Sequence, residues 1–147
     1  LIADQGMELI IPDLTNFLRT GRSVIAVDLF LTGRAVPAEM STSQVAMLIS
    51  TVGLRGLGLQ TAQLCAIIDW VCQRHDLPQI SILSRGRTTG VVAELAAQLC
   101  PHQVVDLTTQ DALSSLRDLI DNEVEYENCP TLFCFGLLQH FEVGQRQ

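Results

Sequence analysis

Four short apolar runs, each followed by polar residues and then by a helical segment, constrain the fold of this chain most strongly. The runs cover residues 1–3, 24–28, 80–83 and 104–107. Continuous apolar runs of this length are typical of strands buried on both faces of a parallel sheet. Strands that alternate with helices are joined by right-handed crossovers, which cover both faces of the sheet. The sequence therefore predicts an α/β fold, a three-layer sandwich with a mainly parallel sheet of about four strands.

The helical segments are predicted from apolar periodicity and from helix-ending glycines and prolines. They cover residues 12–20, 42–52, 59–74, 91–99 and 112–121. The segment 59–74 is apolar on most sides, so we expect it to be largely buried. Thr108 and Asp111 resemble a capping box that would start the segment 112–121.

Length and cysteine content limit the class of protein to which this chain can belong. The 147 residues suit a single domain, 1–147, and the start inside an apolar run without Met predicts a fragment of a longer chain. Five cysteines without a CxxC pair predict buried free thiols and a cytoplasmic location. The apolar runs are too short to span a bilayer, and no signal-peptide pattern is visible.

The net charge and the spacing of possible metal-ligating residues argue against several kinds of partner. The formal net charge is −7, and all 9 basic residues are arginines. An acidic chain without a basic stripe argues against nucleic acid and anionic membranes as partners. His, Cys, Asp and Glu show no spacing typical of metal ligands, so we expect no metal and no cofactor.

The segment 84–90 is the richest candidate for a ligand site. In parallel sheets, ligands bind outside the carboxyl ends of the strands, and segments 4–6, 28–33 and 84–90 are the three candidate tips. Free N–H groups at the following helix start would favour an anion. The candidate anion-binding residues are Arg85, Arg87, Thr88 and Thr89. Alternatively, the segment is a plain turn in which Thr88 or Thr89 caps the helix.

Four stretches of the chain resemble α/β-hydrolases, especially the acetyl xylan esterase and prolyl oligopeptidase-like branch, and one of them is the helix that ends in Trp70-Val71-Cys72-Gln73-Arg74. Val24-Ile25-Ala26-Val27-Asp28 is similar to the family's "vlavDlrGtGes" strand, and residues 82–93 are similar to its "llGhSmGGlvAl" nucleophile elbow. Residues 132–141 resemble its "lfpgvlkhfd" stretch. The resemblance implies an α/β-hydrolase-like core with a flavodoxin-like strand order: 24–28, 1–3, 80–83, 104–107.

The nucleophile elbow departs from the family's pattern where the chemistry would occur. Gly86 stands at the nucleophile position, and Ser84 and Thr88 replace the flanking glycines. We therefore expect no intact catalytic residue in the elbow region, which comprises Ser84, Arg85, Gly86, Arg87 and Thr88. The strands that would carry the acid and the base are also expected to be missing, so a Ser–His–acid triad cannot assemble.

These departures favour a non-catalytic interaction or assembly domain. A residual carboxylesterase acting on acylated substrates and a small-anion-binding module remain the alternatives. His75, His102 and His140 are expected to be structural or solvated.

A truncated sheet would leave an unpaired edge and exposed apolar surface, so we expect a two-fold dimer or contact with the remainder of a longer chain. The expected contact surface is 132–141 or the edge strand 104–107. If the chain is a monomer instead, its C-terminal apolar segment should fold back over the sheet.

Overall fold

The chain forms a three-stranded parallel sheet with helices packed against it. A computed structural model describes residues 1–7, 11–134, 136–141 and 143, with the backbone alone at 12 and 13. The strands are β1 (Ile2–Ala3), β2 (Ile80–Arg85) and β3 (Val104–Gln110), in the order β1-β2-β3. The predicted α/β class and parallel sheet are confirmed, whereas the predicted number of four strands is wrong.

The segment 24–28 lies beside β1 but does not form a strand. Leu1 N donates a hydrogen bond to the Ile25 carbonyl at 2.7 Å, and Val27 N donates to the Leu1 carbonyl at 3.0 Å. The neighbouring strand β1 is only two residues long, so it offers too few partners for a longer ladder. The segment therefore occupies the predicted position without the predicted regular structure.

Six α-helices lie in the described part of the chain. They are α1 (Ile11–Arg19), α2 (Thr42–Thr51), α3 (Gly56–His75), α4 (Arg87–Leu99), α5 (Asp118–Asp121) and α6 (Leu137–His140), with 3-10 turns at Gly33–Ala35, Tyr126–Asn128 and Pro130–Leu132. A capping box starts α2, in which Gln44 N donates to Ser41 Oγ at 3.2 Å and Ser41 N donates to Gln44 Oε1 at 2.9 Å.

Helix α3 is buried on one face rather than on most sides. The residues of α3 that the core covers recur every three or four positions: Leu57, Gln60, Thr61, Leu64, Ile68, Val71 and Cys72. Trp70 is 56% exposed on the opposite side. Helix α4 packs against α3, β2 and β3, and this junction buries Ile68, Val91 and Ala96. The small and β-branched side chains of α4 allow close contact with the sheet.

The chain after β3 differs from the prediction of a helix over 112–121. Strand β3 runs to Gln110, Asp111 takes a left-handed conformation with φ of 52°, and α5 has only four residues. The Asp118 carboxylate accepts hydrogen bonds from the Ser114 hydroxyl and from the amides of Ser114 and Ser115, which lower the pKa of this carboxyl. The predicted Thr108–Asp111 capping box is wrong because Thr108 lies within β3.

The C-terminal segment folds back onto the core of the chain. Leu132 is 3% exposed, and Phe141 and Val143 are each 9% exposed and belong to the same core cluster as Ile2 and Ile68. Phe135, which falls in the stretch that resembles hydrolases, lies outside the described residues. Among the described helices, none is by itself both long enough and apolar enough to cross a bilayer.

Candidate functional site

A single glycine separates the central strand from the helix that follows it. Strand β2 ends at Arg85, α4 begins at Arg87, and Gly86 lies between them with φ of 125°. Gly86 N donates to the Gln110 carbonyl of β3 at 2.9 Å, which fixes the turn to the neighbouring strand. The predicted turn 84–90 is therefore shorter than expected, because Ser84 and Arg85 belong to β2.

The carboxylate of Asp4 occupies the start of α4. Thr88 N donates to Asp4 Oδ2 at 3.0 Å, and Thr89 N donates to Asp4 Oδ1 at 2.7 Å. Asp4 directly follows β1, and its own amide donates to the Arg85 carbonyl at 3.0 Å. The free N–H groups and the positive end of a helix dipole favour an anion at this place. The anion that this helix start holds is thus a side chain of the chain itself.

The other predicted anion ligands have different environments. Arg85 Nε is 3.2 Å from Asp111 Oδ2 in a surface ion pair, and Arg87 is exposed. Thr89 is buried, and its hydroxyl donates to the Arg85 carbonyl at 3.0 Å. The N-cap residue is Gly86, so the alternative prediction of a Thr88 or Thr89 cap is wrong. An external anion at this turn would have to displace Asp4.

Residues with nucleophilic side chains near the turn are not placed for catalysis. Ser84 is fully buried, and its Oγ has no hydrogen-bond partner among the described residues. Cys129 is also buried, and burial, followed by the nearby Asp4 charge, raises the pKa of its thiol. Both side chains are therefore shielded from solvent, and the raised pKa disfavours the reactive thiolate form of Cys129.

The histidines are structural or exposed, as the sequence predicted. His75 is in edge contact with the Trp70 ring at 6.2 Å between centroids, and His102 and His140 are exposed. Within the described ranges, no group of three or more His, Cys, Asp or Glu side chains could hold a metal ion.

The three predicted strand tips meet at one edge of the sheet. Asp28 Oδ1 accepts from Met7 N at 2.8 Å, and Asp28 Oδ2 accepts from Arg34 N at 3.1 Å. Gly6 and Gly33 touch so closely that a Cβ on Gly6 would lie 2.4 Å from the Gly33 Cα. Two aspartates, Asp4 after β1 and Asp28 at the end of the segment 24–28, therefore hold the loops of this edge together.

A small polar pocket of about 120 Å³ opens at the same edge. Its lining residues come from all three tips, from α2 and α3, and from the segment before α6: Asp4, Leu31, Thr32, Thr42, Gln60, Thr88, Glu127, Asn128, Pro130 and Thr131. Gln60 was not among the residues that the sequence pointed to. A glutamine on the apolar face of α3 was the available signal, because buried polar side chains need hydrogen-bond partners.

A second, larger cavity of about 380 Å³ lies away from the strand tips. It is lined by Arg117, Ile120, Asp121 and Leu138. Ile120 is 64% exposed and Leu138 is 47% exposed, so this is an open surface depression. None of these four described residues is a buried polar group, and the polar pocket at the strand tips is the better candidate site.

Fold and site together define an α/β protein with a parallel sheet, in which an internal aspartate closes the strand-to-helix turn. No family model, no curated protein and no solved structure matches the chain.

Proposed function

We propose that this chain is a catalytically silent, α/β-hydrolase-like domain whose role is assembly. The observation that carries the proposal is the Asp4 carboxylate, which lies against Gly86 at the position of the family's nucleophile. A Cβ on Gly86 would lie 2.3 Å from the Asp4 Cγ. The space that a nucleophilic side chain would need is therefore filled.

The electrostatics of the turn also oppose acyl transfer. In a nucleophile elbow, a strained strand-to-helix turn presents the nucleophile, and nearby backbone N–H groups stabilise the oxyanion. Here the N–H groups of Thr88 and Thr89 already donate to a carboxylate. A developing negative charge beside Asp4 would be repelled rather than stabilised. The one-residue turn and the order 24–28, β1, β2, β3 support the resemblance to hydrolases, with a flavodoxin-like arrangement.

Hydrolysis of p-nitrophenyl acetate provides the test of catalytic silence. The wild-type chain is expected to release p-nitrophenol no faster than heat-inactivated protein, because no activated nucleophile is present. Gly86→Ser is expected to add no activity, since a hydroxyl alone lacks a base. A wild-type rate well above background that Ser84→Ala or Thr88→Ala abolishes would contradict the proposal. Ser84→Ala is a clean variant because it removes a buried hydroxyl that has no hydrogen-bond partner among the described residues.

The edge strand β3 is the surface proposed for assembly. Among the described strands, β3 lies at the edge of the sheet and pairs with β2. Val105, on this strand, is 59% exposed. An exposed strand edge with apolar side chains favours pairing with another strand. The alternative surface 132–141 is less suited, because Leu132 and Phe141 are buried in the core of their own chain.

Light scattering after size-exclusion chromatography tests the assembly. At micromolar concentration, the wild-type chain is expected to have a molar mass twice the 16.1 kDa of one chain. The dimer would form through an isologous contact of β3 with β3. Val105→Asp is expected to yield monomers, whereas Val52→Asp, at a position 71% exposed near the end of α2, should leave the dimer intact. A wild-type monomer, or a dimer that only Val52→Asp disrupts, would contradict assembly through β3.

A further inference from the structure

Two cysteines meet where the carboxyl end of α4 packs against α3. Cys65 lies in the middle of α3, and Cys100 is the residue that directly follows α4 and caps it. The Cys65 thiol is hydrogen-bonded to the side chain of Cys100, so the two sulfur atoms are neighbours. Both residues pack against the core, and both are free thiols that remain partly exposed to solvent. They therefore form a thiol pair that an oxidant can reach.

Backbone and side-chain hydrogen bonds hold Cys100 against α3. Cys100 N donates to the Ala96 carbonyl at 2.8 Å, and the Cys100 carbonyl accepts from the Gln103 amide at 3.1 Å. Gln103 Nε2 in turn donates to Asp69 Oδ1 at 2.7 Å. Asp69 lies about one helical turn after Cys65, so this bond fixes the turn after α4 to α3 close to the thiol pair. The two sulfur atoms can therefore be linked without a large movement of the backbone.

The surroundings of the pair determine which sulfur reacts first. Burial, followed by the neighbouring Cys100 side chain, raises the pKa of Cys65 to about 12. A thiol must lose its proton before it attacks a disulfide, so Cys65 is the poorer attacking group. Cys100 lies beside Leu99 and Pro101, which are both exposed, and an external oxidant can approach it there. Cys100 is therefore the sulfur that attacks first.

We propose that Cys65 and Cys100 are a site of reversible oxidation, at which a small disulfide such as oxidised glutathione converts the two thiols into an internal disulfide. The Cys100 thiolate attacks one sulfur of the oxidant, whose S–S bond breaks and releases the first glutathione. The Cys65 sulfur then gives up its proton and attacks Cys100, and the mixed disulfide breaks to release the second glutathione. Both cysteines are oxidised, the oxidant is reduced to two thiols, and these thiols take up the two cysteine protons. This chemistry is independent of the silent-domain proposal.

The internal disulfide should stabilise the fold. It would join α3 to the end of α4 and close a long loop that contains the central strand β2. A link across a long loop restricts the unfolded chain more than the folded one. We therefore expect the oxidised chain to melt about 10 °C above the reduced chain.

Peptide mapping after equilibration with glutathione tests the linkage. The folded wild-type chain is equilibrated with oxidised and reduced glutathione, its remaining thiols are blocked with N-ethylmaleimide, and trypsin then cleaves it after arginine. The expected product is peptide 56–74 joined to peptide 88–117, and dithiothreitol should separate them. Because peptide 56–74 contains both Cys65 and Cys72, the linkage must persist in Cys72→Ser and disappear in Cys65→Ser.

Thermal unfolding of the same samples tests the effect on stability. The rise in melting temperature on oxidation is expected in the wild-type chain and should be absent from Cys65→Ser. Cys134→Ser is the matched control, since Cys134 is also a partly exposed free thiol, and it should retain both the linkage and the rise. If Cys65→Ser fails to fold, Cys100→Ser and the wild-type peptide map still decide the question. A glutathione adduct without the internal linkage, a linkage through Cys72, disulfides between two chains alone, or no oxidation would overturn the proposal.

Discussion

Gly86→Ala is expected to lower the free energy of unfolding by about 3–5 kcal/mol. Gly86 has φ of 125° and ψ of 169°, a region of backbone conformation that residues with a Cβ rarely adopt. The new Cβ would also lie 2.3 Å from the Asp4 Cγ, so the carboxylate would have to leave the amides of Thr88 and Thr89. For a chain of this length, the melting temperature should fall by about 10 °C or more.

Gly58→Ala makes the same substitution at a position where neither the backbone conformation nor a steric clash opposes a Cβ. Gly58 lies within α3 and is exposed, and in the described part of the chain a Cβ at this position would clash with nothing outside the helix. The free energy of unfolding of this variant should be about 0.4–1 kcal/mol higher than that of the wild-type chain, because alanine restricts the unfolded chain and favours the helix. Chemical denaturation of both variants provides the comparison. Equal stability of Gly86→Ala and Gly58→Ala would contradict the described turn.

The clash with Asp4 can be separated from the backbone conformation by a double-mutant cycle. In an Asp4→Ala background, Gly86→Ala should lower the free energy of unfolding by less than it does in the wild-type chain, because the carboxylate no longer occupies the space of the new Cβ. Simple additivity of the two free-energy changes would show that Asp4 and Gly86 do not interact.

Asp4→Ala is expected to lower the free energy of unfolding by about 2–3 kcal/mol. The substitution removes two charge-assisted hydrogen bonds and leaves the amides of Thr88 and Thr89 without their carboxylate. Asp111→Asn is the control for loss of a surface charge, because Asn tolerates the left-handed conformation at this position and the exposed ion pair with Arg85 should contribute less than about 1 kcal/mol. Similar losses for the two variants would contradict the role assigned to Asp4.

Removal of Asp4 should also turn the helix start into a site for an external anion. Sulfate is expected to raise the melting temperature of Asp4→Ala more than that of the wild-type chain, since binding to the folded state alone stabilises it. The added effect should decrease when Arg85→Ala and Arg87→Ala are combined with Asp4→Ala. An equal sulfate response of wild type and Asp4→Ala would show that the Asp4 carboxylate does not occupy this site.

Local sequence patterns were sufficient to predict the elements with strong periodicity. The apolar runs at 80–83 and 104–107 and the helical segment 42–52 carry their own signals in the side-chain pattern. The meeting of segments 4–6, 28–33 and 84–90 also follows from sequence, because the carboxyl ends of neighbouring parallel strands lie at the same edge. The class of fold and the edge that bears the candidate site were therefore determined by the sequence alone.

Only the tertiary structure determined which groups lie at that edge of the sheet. Asp4 and Thr89 are 85 positions apart, and no local pattern shows that a carboxylate after β1 satisfies the helix start after β2. The segment 24–28 has a strand-like sequence, but the two-residue β1 beside it cannot support a full ladder. In the sequence Gln60 is one polar residue on an apolar helix face, and only the fold brings its Nε2 to the Phe30 carbonyl and its side chain to the lining of the polar pocket. Each of these outcomes depends on partners distant in sequence, because hydrogen bonds and steric contacts act through space.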